Sequence, residues 1–222
     1  MDLPEDIARY LRATGPNHDD VQQEMVVAAA EQQFPIIGPD AGGVLRSYAR
    51  ATDATTVFEF GSGFGYSATW FLQGMREEGT IILTEFDAEE LEMAKTFFQE
   101  AGLTHRAIFE HGDAMDIVER YNGPFDLVLI DHQKERYADA FEAIRDKLPV
   151  GAVVIADNVI SGAVSLEDVL PYVEGREGLP DESRARGIVR YLEMVRADED
   201  FHTVVLPVGN GLAVTTRERV TG

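Results

Sequence analysis

Apolar and polar positions along the 222-residue chain change period several times, and each change marks an element. Helical spacing runs through Pro4 to Ala13 and again through Asp19 to Phe34, where Asp19 or Asp20 can cap the first turn. A third helix is predicted from about Asp40 to Ala51. These opening helices read as a lid or packing extension. A regular alternation follows: TTVFEF as strand, SATWFLQGM as helix, GTIILTEF as strand and AEELEMAKTFFQEA as helix. It continues through AIFEHG, AMDIVERY, FDLVLID, ERYADAFEAIRDKL and GAVVIADNVI as far as Ile160. The strands are short apolar runs without polar alternation, which predicts a parallel sheet with helices on both faces.

After Ser165 the pattern changes. A helix near Leu166 to Val173, the polar stretch EGREGLPDESR and a helix near Ala185 to Ala197 lead to FHTVVLPV and GLAVTT. Those last two runs flank Gly209 and Asn210 and read as an antiparallel hairpin. The fold class predicted is α/β: a Rossmann-like sheet of seven strands, mostly parallel, finished by the hairpin. No internal repeat, low-complexity segment or linker interrupts it. At 222 residues and 45% hydrophobic the chain is expected to form one domain, with 1–51 a helical extension and 52–222 the core.

Composition narrows the chemistry. No stretch approaches the roughly 20 apolar residues that span a bilayer, and the start MDLPEDIARY is acidic, so a soluble cytoplasmic protein with no membrane partner is expected. There is no cysteine, which excludes disulfides, thiolate metal sites and a cysteine nucleophile; any metal must be held by oxygen or imidazole. A formal net charge of -21 argues against a phosphate-tracking surface and so against a nucleic-acid partner. The only lysines are Lys95, Lys134 and Lys147 in an otherwise acidic chain, a balance that suits high salt. High salt shortens the Debye length to about 3 Å at 1 M, which weakens that exclusion. A homodimer is among the assemblies left open.

Between the first strand and its helix, VFEFGSGFGYS places Gly61, Gly63 and Gly65 at alternate positions after Glu59. Glycines allow a tight turn and a close ligand approach. In a dinucleotide-binding G-x-G-x-x-G loop the third glycine would fall at position 66, which is Tyr66. The spacing therefore resembles the S-adenosylmethionine loop of methyltransferases more than a pyrophosphate cradle. Glu85 ends the next strand, where an acidic residue reaches a ribose in either kind of sheet or simply sits solvated. After the third strand, Asp113 has two readings: an acceptor for an adenine amino group, or the cap of the helix that follows.

At the ends of the fourth and fifth strands stand Asp131-His132-Gln133-Lys134 and Asp157-Asn158. Adjacent strands lie about 4.8 Å apart, so Asp131, Asp157 and Asn158 would converge at the carboxyl edge if those strands are neighbours. Two carboxylates and an amide oxygen form a hard set suited to Mg²⁺, with Mn²⁺ or Ca²⁺ as substitutes. Lys134 is either a surface lysine at a helix start or a base beside that set. His18, His105, His111 and His202 show no metal-ligand pairing and read as surface or satisfied polar residues.

FDLVLIDHQKERY and GAVVIADNVISGA resemble the metal-binding strands of the divalent-cation-dependent O-methyltransferases, the family of catechol and caffeoyl-CoA O-methyltransferases; the likeness spans roughly Ile37 to Ile160. It implies that Asp131, Asp157 and Asn158 ligate the metal and that Lys134 is the general base. It also implies that Glu59, Gly61, Tyr66 and Ser67 contact S-adenosylmethionine, with Gly63 and Gly65 in the same loop, Glu85 on the ribose, and Asp131 and His132 completing the cofactor side near the adenine. The implied acceptor is a small hydroxylated molecule of catechol type. The chain departs from the catechol enzymes at Gln133, where they carry an aromatic wall, in VISGAV, which lacks their proline, and in HTVVLPV, which lacks their second carboxylate. Methylation of a hydroxylated tRNA base and cofactor binding without turnover are the rival readings. A nicotinamide reductase is disfavoured by Tyr66.

Overall fold

In the computed structural model, which describes residues 5–219, the opening helical pattern becomes α1 (Glu5–Thr14), α2 (Asp20–Gln32) and α3 (Gly38–Ala51). The predicted start at Pro4 lies outside the described residues. A reciprocal cap sets the beginning of α2: Gln22 N donates to Asp19 Oδ1 at 2.9 Å, and Asp19 N donates to Gln22 Oε1 at 3.1 Å. No helix among the described residues is long and apolar enough to cross a membrane.

The chain divides into two compact units, the first ending at Ala114 and the second beginning at Met115. In the first, β1 (Thr56–Phe60), β2 (Thr80–Glu85) and β3 (Ala107–His111) run parallel in the order β3-β2-β1, with Thr56 opposite Thr80 and Ile81 opposite Ala107. Helices α4 (Tyr66–Gly74) and α5 (Ala88–Glu100) connect them. The apolar runs of β1 and β2 are buried almost throughout, as continuous hydrophobicity requires, whereas β3 is half-exposed. The guanidinium of Arg106 donates to the carbonyls of Leu72 and Gly79, each at 3.1 Å, and to that of Arg76, fastening the turn before β2.

α6 (Ala114–Val118) opens at the boundary. The second unit orders its strands β4-β5-β7-β6, from β4 (Leu127–Ile130), β5 (Val153–Ala156), β6 (Phe201–Leu206) and β7 (Leu212–Arg217). β4 and β5 are parallel, β5 and β7 antiparallel, and β6 and β7 form the predicted hairpin with Leu206 opposite Leu212. α7 (Tyr137–Ile144), α8 (Leu166–Val173) and α9 (Ser183–Ala197) complete it. The expected continuous helix ERYADAFEAIRDKL is instead a 3-10 turn at Lys134–Arg136, then α7, then a 3-10 turn at Arg145–Lys147. Tertiary partners stop it: Arg217 takes the Arg145 carbonyl at 2.9 Å, while the Arg145 guanidinium reaches Asp198 at 2.5 Å and Asp200 at 3.3 Å.

Candidate active site

The glycine loop lies in the first unit, at the carboxyl end of β1. Gly61, Gly63 and Gly65 all have positive φ, at 79°, 49° and 86°, so side chains there would be strained. Space is also limiting: a Cβ on Gly63 would stand 2.6 Å from Phe34 Cζ, and one on Gly65 2.9 Å from Phe98 Cε2. Glu59 is fully buried and its carboxylate accepts from the hydroxyl of Ser67, in the first turn of α4. The Glu85 carboxylate accepts from Gly63 N at 2.8 Å and from Asp87 N at 2.9 Å, which ties loop and strand end together. Asp113 follows Gly112, whose N–H donates to the Glu85 carbonyl at 2.9 Å, so Asp113 stands at this same edge directly before α6. The structure thus brings Glu59, the loop, Ser67, Glu85 and Asp113 to one edge.

Asp131, His132, Lys134, Asp157 and Asn158 lie in the second unit, at the carboxyl ends of β4 and β5. Ile130 pairs with Ala156, so Asp131 and Asp157 leave the sheet side by side. Lys134 is only 7% exposed, and its Nζ donates to Asp131 Oδ1 at 2.7 Å and to the hydroxyl of Tyr137 at 2.6 Å. Asn158 adopts the left-handed conformation, φ 61°, rare for a residue other than glycine and best tolerated by Asn or Asp. Its backbone N and Nδ2 each donate to the Asp157 carboxylate at 2.7 Å, which holds it there. Burial, and then the charge of Asp131, push the Asp157 carboxyl up to about 7; burial likewise raises Asp131, against the pull of Lys134. Of the two carboxylates, the partly buried Asp131 carries the ion pair with Lys134. Among the described residues no cluster of three His, Cys, Asp or Glu assembles in the manner of a metal site. Two carboxylates and an amide, short of positive charge, do fit a hard dication that keeps open positions.

The family described as O-methyltransferase matches residues 13–218 of the sequence. The chain belongs to that family. Its relatives include a catechol O-methyltransferase of Niastella koreensis, 31% identical over 77% of this chain and 81% of that one. Another, from Mycobacterium tuberculosis, is 31% identical over 72% and 74%. An O-methyltransferase from Bacillus cereus, solved with S-adenosylhomocysteine, superposes with a TM-score of 0.83 at 22% identity over 96% and 97% of the chains. One from Streptomyces achromogenes involved in tomaymycin synthesis, solved with S-adenosylmethionine, does so at 0.83 and 23% over 96% of each. The fold is therefore the seven-stranded, mostly parallel Rossmann-like sheet with an antiparallel C-terminal hairpin, and the chain is an enzyme of methyl transfer to oxygen.

Three parts of the methyltransferase escaped the sequence reading. Tyr137, fully buried, stacks on His132 with ring centroids 5.6 Å apart and planes 8° from parallel, and its hydroxyl donates to the Asp157 carbonyl at 3.0 Å. Burial and the neighbouring carboxylates push its phenol well above the usual range, so it stays protonated. Gly187 is the second: α9 crosses the backbone of Lys134 so closely that a Cβ on Gly187 would stand 2.2 Å from the Lys134 carbonyl oxygen. The third is Phe86, 74% exposed beside Glu85. Only its place, one residue beyond the acidic strand end, could have signalled it. In the first unit His18, read as a surface or satisfied polar residue, is half-buried with Nε2 2.7 Å from the Tyr66 hydroxyl, and Gln22 donates to Thr69 Oγ1 at 3.0 Å, so α2 is pinned to α4.

Proposed function

We propose that this methyltransferase moves a methyl group from S-adenosylmethionine to a hydroxyl of a small catechol-like acceptor, with Lys134 as general base beside a divalent cation held by Asp131, Asp157 and Asn158. The observation that carries the reading is a buried lysine amine 2.7 Å from the partly buried carboxylate of Asp131, with the buried Asp157 at the adjoining strand end. The 31% likeness to catechol O-methyltransferases supports the acceptor class.

The acceptor hydroxyl is a weak nucleophile, since a phenol has a pKa of about 10. A bound dication supplies Lewis-acid stabilisation of the charge developing on that oxygen. Lys134 Nζ takes the hydroxyl proton as oxygen bonds to the methyl carbon and the carbon–sulfur bond breaks, its electrons staying on sulfur. Glu59, Ser67, Tyr66 and the loop backbone hold the methionine part, Glu85 the ribose and Asp113 the adenine edge. The protein contributes chiefly orientation. Gln133, exposed where the catechol enzymes carry an aromatic wall, sets this acceptor pocket apart.

Methyl transfer to a panel of vicinal diols, with Mg²⁺ and with a chelator, tests the reading. Turnover is expected with Mg²⁺ only. Equal turnover under chelation overturns the metal assignment, and a Lys134→Ala enzyme as active as the parent removes Lys134 from the chemistry.

A further inference from the structure

We infer that Tyr137 is a positioning residue for the reaction: its hydroxyl fixes the orientation of the Lys134 amine. The inference rests on the reading of Lys134 as the base. A phenol has one proton to give. The Asp157 carbonyl, 3.0 Å away, can only accept, so that proton is directed there; Asp131 Oδ1, at 3.5 Å, is the longer contact. Towards Lys134 Nζ, at 2.6 Å, the phenol oxygen therefore accepts. Nζ then has two acceptors, Tyr137 and Asp131 Oδ1.

With two N–H bonds committed, to Asp131 and to Tyr137, the amine cannot turn about Cε–Nζ and its remaining tetrahedral directions are fixed. Without the phenol oxygen, one N–H is released and those directions sweep a cone. The ring that presents the hydroxyl is itself clamped, stacked on His132 and met edge-on by the buried Tyr191 at 5.8 Å and 83°. A core aromatic placed only for packing would need the ring and not the oxygen. Tyr137→Phe separates the two roles.

In the full chain, Tyr137→Phe is expected to lower kcat by about tenfold or more, on the scale of a misplaced general base, while the KM of the acceptor and the affinity for S-adenosylmethionine stay within about twofold. In a Lys134→Ala background the same substitution should add no further loss, because no amine is left to aim. A second readout does not depend on turnover. The chain has three lysines, so ¹³Cε-lysine labelling gives three NMR signals, with that of Lys134 identified by its absence from Lys134→Ala. Its order parameter should exceed that of Lys95, whose side chain is 41% exposed, and should fall in Tyr137→Phe while Lys95 and Lys147 are unmoved. Unchanged kcat in Tyr137→Phe beside an inactive Lys134→Ala overturns the inference. So does an equal loss in both backgrounds, or a parent Lys134 as mobile as Lys95, a measurement that does not depend on Tyr137→Phe folding. A fully active Lys134→Ala marks failure of the base assignment itself and is told apart by that variant alone.

Discussion

Gly187→Ala perturbs the base without altering any side chain that surrounds its amine. The added Cβ would stand 2.2 Å from the Lys134 carbonyl oxygen and 2.7 Å from both Lys134 C and Glu135 Cα. Ordinary carbon–oxygen contact begins at about 3.3 Å, so α9 and the Lys134–Arg136 turn must part by about 1 Å. Both neighbours are backbone, so no side-chain rotation relieves the clash. Overpacking of this kind costs about 1–3 kcal/mol, and alanine's helix propensity returns about 1 kcal/mol. The net loss of about 0–2 kcal/mol should move Tm by only a few degrees, given about 2–4 °C per kcal/mol for a chain of this size. Activity is far more sensitive, because a 1 Å misplacement costs about a hundredfold. The expected outcome is a folded enzyme with Tm down by at most about 8 °C, kcat down by about a hundredfold and unchanged affinity for S-adenosylmethionine, since the glycine loop shares no residue with this contact. Calorimetry and steady-state methyl transfer measure all three. A variant with higher Tm and kcat within threefold of the parent would refute the idea that α9 sets the position of Lys134.

Gly63→Ala meets the Phe34 ring and a strained φ together, so it should destabilise by about 1–3 kcal/mol; Phe34→Ala should recover the steric part of the affinity loss in a double mutant, and strict additivity by titration calorimetry would sink the coupling. Glu85→Ala removes a charged acceptor from Gly63 N, and with hydrogen bonds to charged groups worth about 1.5–3 kcal/mol, affinity for S-adenosylmethionine should fall by about ten- to a hundredfold while Tm changes little; an unaltered binding isotherm would exclude Glu85 from the site. With a net charge of -21, Tm should climb between 0.1 and 1 M KCl as the Debye length drops from about 10 to 3 Å, and a flat or falling Tm contradicts the high-salt reading.

Legibility followed the range of the interactions. β1, β2, β4 and β5 were readable because buried parallel strands need continuous apolar runs, and the cap of α2 because its partners stand three residues apart. The glycine spacing likewise foretold a tight turn. The breaks flanking α7 were not readable: helical periodicity continues through ERYADAFEAIRDKL, and what ends the helix is Arg217, far along the chain. Tyr137 was hidden for a similar reason, since its hydroxyl gains meaning only through the Asp157 carbonyl. Gly187, a lone glycine in SRARGIVRYLEMVRA, looks like a weak helix position until the Lys134 backbone is seen against it. Phe34, at the end of a helical run, has no visible role in the sequence, because its seat against the missing Cβ of Gly63 is a contact between residues far apart in the chain.

The fastening of α2 bears on how far this enzyme can be shortened. Asp19 Oδ2 accepts from Gln73 Nε2 at 2.9 Å, His18 meets Tyr66, and Phe34 covers Gly63. A truncation beginning at Ile37 would keep every proposed catalytic and ligand-binding side chain yet expose the glycine loop to water and strip α4 of its polar partners. The smallest useful version of the protein therefore begins before His18, and tags or fusions belong ahead of that point.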